Sequence, residues 1–162
     1  MATVIAATGL LLSACNLDNM QFTQDHRVRI VEPEDRSTVT LPVTVRWEVD
    51  GFEVTGKDGK RSDKAGYFAV FVDREPIPPG KTLEWYANQE SSCGSSACGS
   101  VDNLADIYTT KKTKIRLKRL PATDERDDVE RHEVTVILLD GTGARISESA
   151  FYVRFNYRRG VL

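Results

Sequence analysis

"LPVTVRWEV", residues 41–49, decides the fold class. Leu41, Val43, Val45, Trp47 and Val49 fall on one side of an extended chain, with Thr44, Arg46 and Glu48 on the other. Successive side chains of a strand point to opposite faces, so this period-two pattern predicts a strand with one buried face. Working outward, "HRVRIVEP" alternates around Val28 and Ile30, and "TKIRLKRL" sets Ile115 and Leu117 against Lys114, Arg116 and Lys118. "GYFAVFVD" is apolar on both faces, as expected of a central strand. "HEVTVILLD" runs into "GTGA", whose glycines suit a hairpin, and "ISESAFYVRFNY" puts Phe151, Val153, Phe155 and Tyr157 together. No stretch of ten or more residues keeps a helical period; "SVDNLADIY" offers at most one short turn. The expectation is an all-β chain.

About 135 residues after the N-terminal segment, in six or seven strands, suit a single two-layer antiparallel sandwich spanning 26–160. "VRIVEPEDRSTVTLPVTVRWEV" resembles the opening of bacterial immunoglobulin-like and fibronectin-type-III-like domains, where a strand ending in Pro precedes a turn and a strand with a buried Trp. "RHEVTVILLDGTGARI" is similar to their penultimate hairpin. The resemblance implies an immunoglobulin-like sandwich of about seven strands, interrupted by a long inserted loop over residues 75–104. Cys93 and Cys98 stand too close together to bridge two sheets, so that pair belongs to the insertion.

The N-terminal segment is of a different kind. "MATVIAATGLLLSA" carries no charge, and fourteen residues as a helix reach about 21 Å, against a hydrocarbon core of about 30 Å. That is short for a membrane span and suits the apolar core of a secretory signal. Leu12-Ser13-Ala14-Cys15 resembles a bacterial lipobox, although no Lys or Arg precedes Arg27. The resemblance implies a signal peptide over 1–14 and diacylglycerol on the Cys15 thiol. It also implies an extracytoplasmic cell-membrane location and a polar tether over 15–25. The residues leave a second course open, in which 1–14 are retained as a buried helix. Export would place Cys93 and Cys98 in an oxidising compartment, where they would form a disulfide closing a small Gly/Ser loop. The competing reading, half of a metal site, lacks a second Cys pair.

Charged residues make up 28% of the chain and the net charge is -2, so no global field favours nucleic acid. No nucleophile elbow, phosphate-cradling loop, H-E-x-x-H or paired C-x-x-C occurs. His26, at the end of the tether, and His132, at the start of a strand, are expected to be satisfied by backbone or solvent. Asp50, Asp58 and Asp63 are interleaved with Lys57, Lys60, Arg61 and Lys64, which suits a solvated hairpin tip better than calcium. Asp102, Asn103 and Asp106 form a second weak acidic group. These observations lead to the expectation of a non-enzyme with no metal, cofactor, small-molecule substrate or nucleic-acid partner.

Two surfaces remain. Lys112, Lys114, Arg116 and Lys118, with Arg119 after them, form the outward face of one strand; they suit an acidic partner, lipid headgroups or a teichoic-type phosphate polymer or, more simply, protection of a sheet edge. An acidic run, "DERDDVE" over 124–130, follows closely. Trp85 and Tyr86 fall in a Pro-rich loop and offer a contact surface within 76–100. The expected function is a lipid-anchored structural or accessory subunit making protein–protein contacts in the cell envelope. The alternative is a glycan or wall-polymer module using Trp85 and Tyr86.

Overall fold

The computed structural model describes residues 25–90, 104–123 and 129–158. The expected lipidation site Cys15, the Cys93–Cys98 pair and the acidic residues 124–128 lie outside them. The described chain is all-β apart from one helix. In order it forms β1 (Val28–Glu32), β2 (Thr38–Val39), β3 (Val43–Val49), β4 (Glu53–Val54), β5 (Ala65–Val72), α1 (Leu83–Glu90), β6 (Ile107–Thr110), β7 (Lys114–Leu117), β8 (Val129–Asp140) and β9 (Phe151–Arg158).

Three strands make sheet A, in the order β1-β3-β7, with both pairings antiparallel. Sheet B runs β2-β9-β8-β5, with β4 and β6 both on the far side of β5, and it curls into a half-barrel. The two sheets bury one common core. Val43, Val45, Trp47 and Leu117 come from sheet A, and Phe68, Val70, Val134, Val136, Leu138, Val153 and Phe155 from sheet B. Trp47 stands edge-on to Phe68, with ring centroids 5.3 Å apart. The alternation read at residues 41–49 is therefore the inner face of β3.

Sheet B has a second buried face, which explains why β5 is apolar on both sides. Tyr67, Ala69, Phe71, Ile137 and Leu139 point away from sheet A and pack against Ile77, Leu83 and Ile107. Part of the expected loop is thus helical and works as a cover. Thr82 caps α1, its Oγ1 accepting from the Trp85 amide at 3.1 Å. Leu83 and Ala87, four residues apart on one helix face, are buried. A single antiparallel bridge between Thr82 and Ala144 ties the segment to the turn after β8.

Arg145 completes that tie. It is 7% exposed, and its guanidinium donates to three backbone carbonyls: Ile77 at 2.6 Å, Ser147 at 2.8 Å and Glu148 at 2.6 Å. Burial pulls its pKa below the ordinary arginine value. Gly66 lies opposite Asp140 where β5 pairs with β8. A Cβ there would lie 1.9 Å from the Leu139 carbonyl oxygen, so only glycine fits.

One local expectation is corrected and another is met. Residues 50–64 are not a hairpin tip, because β4 pairs with β5 in parallel (Glu53 with Ala65) and the segment carries the chain from sheet A to sheet B. The described part of "SVDNLADIY" turns at Ala105–Asp106 and then enters β6, where Ile107 packs beneath the cover. At the N-terminal edge, Asp25 is already held: its amide donates to Ser149 Oγ and its carboxylate pairs with Arg27 at 2.7 Å.

Candidate functional site

Strand β7 lies at the edge of sheet A. Its register opposes Val45 to Ile115 and Arg46 to Lys114, and the Trp47 amide donates to the Thr113 carbonyl at 3.0 Å. Residues 113, 115 and 117 therefore hydrogen-bond to β3. In an antiparallel pair the alternate residues direct their amide and carbonyl groups away from the partner. For β7 these are Lys114 and Arg116. Among the described residues no strand pairs with that side.

The side chains follow the same alternation. Leu117 is buried and Ile115 is half-buried against the common core, whereas Lys112, Lys114, Arg116 and Lys118 are exposed. On the rest of sheet A's outer face the charges are paired. Arg29 meets Glu48 at 2.5 Å and Arg46 meets Glu32 at 3.2 Å. Glu32 holds the Arg46 guanidinium above its ordinary pKa. Among the described residues no carboxylate pairs with Lys112, Lys114, Arg116 or Lys118. Lys114 also sits directly opposite Arg46, a like-charge cross-strand pair that destabilises a sheet. Arg119 does have a partner, Asp106, at 3.6 Å.

A second polar cluster lies within sheet B, and no sequence motif points to it. His132 is 2% exposed rather than solvated. Its Nδ1 is 2.6 Å from Asp73 Oδ2, and its Nε2 is 3.4 Å from Glu130 Oε2. Asp73 follows β5 with φ 52°, a conformation that Asp tolerates better than most residues, and its other oxygen accepts from the Glu133 amide at 2.7 Å. Burial works against a charged imidazole. The Asp73 hydrogen bond and the charges of Asp73 and Glu130 outweigh it and hold the His132 pKa above its ordinary value. The ring touches Phe155 and Tyr157, so this proton site is enclosed by protein. Beside it Arg36, Arg131, Arg154 and Glu133 line an open groove, where Arg154 Nε is held by Glu133 at 2.8 Å.

Trp85 and Tyr86 lie on α1, not in a loop. Tyr86 packs edge-on against Phe71, with centroids 6.2 Å apart, and the Lys81 ammonium sits 5.3 Å from the Trp85 ring centre. Both residues are half-buried, so the pair forms no flat exposed aromatic platform. The exposed large apolar side chain among the described residues is Tyr152, beneath the Arg154 guanidinium. Among the described residues no three His, Cys, Asp or Glu side chains converge to hold a metal ion, and no helix is long and apolar enough to cross a membrane.

Comparison with protein-family models, curated proteins and solved structures finds no match to this chain. The open basic edge of β7 is therefore identified by its own geometry. Among the described residues, unpaired main chain and unneutralised charge coincide along it.

Proposed function

We propose that this chain is a lipid-anchored, non-catalytic subunit of the cell envelope. Its immunoglobulin-like sandwich would make protein–protein contacts at the extracytoplasmic face of the membrane. The observation that carries the contact role is the edge of β7, where Lys114 and Arg116 present both main chain and cationic side chains with no partner among the described residues. The lipobox-like Leu12-Ser13-Ala14-Cys15 supports the anchor. The immunoglobulin-like reading draws its support from two sheets sharing one core around Trp47.

The mechanism is physical. Each buried methylene of an acyl chain contributes about 0.8 kcal/mol, so two chains on Cys15 hold a protein at a membrane. A tether of some ten residues keeps the domain close to the surface and raises its effective concentration for membrane-bound partners. The test is fractionation of the native host after Cys15→Ser. The substituted protein should leave the membrane fraction and lose incorporation of labelled fatty acid. Retention of both the membrane location and the label would overturn the anchor.

A further inference from the structure

The geometry of β7 points to a strand-addition site for an extended acidic segment of a second protein, an inference that rests on the protein-contact role proposed above. Such a segment would continue sheet A beyond β7. Its main chain would pair with the outward amide and carbonyl groups of Lys114 and Arg116. Residues two apart on the added strand project from the same face at about 6.6–6.8 Å spacing, which matches the spacing of Lys114 and Arg116. Carboxylates at alternate positions would therefore lie over these two cations, with Lys112 and Lys118 flanking them.

Three observations converge here. Among the described residues nothing pairs with the main chain of β7 on the side away from β3. The four cations along it have no carboxylate partner among the described residues, although the acidic groups across the same face are engaged by Arg29 and Arg46. Lys114 faces Arg46 across the strand pair, and Glu32 engages Arg46 at 3.2 Å, so Lys114 is left with a like charge opposite and no carboxylate of its own among the described residues, which an added acidic strand would supply. Lysines on a sheet edge discourage indiscriminate strand pairing. Here they also repel a second copy of β7, since both edges would bring the same positive charges together. Rejection of neutral and basic strands and acceptance of acidic ones is specificity by repulsion as well as attraction.

The probe is a synthetic octapeptide, acetyl-Gly-Thr-Glu-Val-Glu-Thr-Glu-Gly-amide, titrated into the full chain carrying Cys15→Ser. An isomer with its three glutamates adjacent and vesicles of phosphatidylglycerol serve as comparisons. The alternating peptide should bind at least tenfold more tightly than the isomer, and its affinity should fall with added salt. Hydrogen exchange of the Lys114 and Arg116 amides should slow on binding. The double substitution Lys114→Glu with Arg116→Glu should abolish the protection; both side chains are exposed, and an unchanged circular dichroism spectrum would verify the fold.

Equal binding of the two peptides with no amide protection would overturn strand addition. So would binding to the vesicles but to neither peptide, which would make the edge a lipid-headgroup surface. None of these readouts depends on acylation, so their failure leaves the anchor standing, and failure of the anchor leaves them interpretable.

Discussion

Replacing Arg145 with Ala tests whether the helical cover is held by a single buried guanidinium. The carbonyl of Ile77 would lose its buried charged donor at 2.6 Å, and a buried acceptor left unsatisfied costs about 1–3 kcal/mol. The Ser147 and Glu148 carbonyls are only part-buried and can regain water, so each adds roughly 1 kcal/mol. Removing a buried charge returns part of this, since burial already disfavours the guanidinium. The net loss is about 3 kcal/mol. At roughly 2–4 °C per kcal/mol for a chain of this size, Tm should fall by roughly 6–12 °C. Thermal unfolding followed by circular dichroism measures the shift, and hydrogen exchange locates it. Exchange should accelerate in residues 76–90 and 141–150 while the centre of β8 stays protected. Arg145→Lys should recover less than half of the loss, because an ammonium does not match three carbonyls set around a planar fork. A Tm within about 2 °C of the parent, or exchange rising equally in β8, would refute the claim that Arg145 pins the cover.

Three further outcomes are expected, two inside sheet B and one in the loop that leads into α1. The His132 pKa is raised in the folded state, so its contribution to stability is complete below the unfolded value of about 6.5 and is lost as pH rises through the folded one. The Tm advantage of the parent over His132→Gln should therefore shrink between pH 6 and pH 9, and an advantage that grows would exclude the charged pairing with Asp73. Gly66→Ala should yield no folded protein on expression, since its Cβ would meet the Leu139 carbonyl at 1.9 Å and the Asp140 Cα at 2.8 Å. Gly80→Ala, with φ 74° but open space around it, should fold at a penalty of about 1–2 kcal/mol in a denaturant titration.

The strands were legible wherever one face is buried and the other wet. The alternation at Val43, Val45 and Trp47, and again at Val153 and Phe155, needed no long-range information. The basic face of β7 was equally plain, because Lys114 and Arg116 alternate with residues that pack inward. That β7 is an edge depends on which strands neighbour it, and no local pattern carries that information. Helix α1 was missed because eight residues are too few to establish a period beside prolines and glycine. The local signal was present all the same, in Thr82 as a cap and in Leu83 and Ala87 four residues apart. The pairing of His132 with Asp73 joins residues 59 positions apart. It becomes visible only once Val72 is known to face Val134 across β5 and β8. A histidine at a strand start reads as solvated until the strand on the other side is placed.

The cover over sheet B determines how much of this chain is dispensable. β5 and β6 are antiparallel neighbours, and a two-residue turn would in principle suffice to join such strands. Excising what lies between them would strip Ile77, Leu83 and Ala87 from the outer side of the sheet. Tyr67, Ala69, Phe71, Ile137 and Leu139 would then form a contiguous greasy surface of the kind that draws molecules together. The shortened chain would keep the backbone ladders of both sheets and would still precipitate. What looks like an ornamental detour between two strands is what keeps the outer face of sheet B out of water.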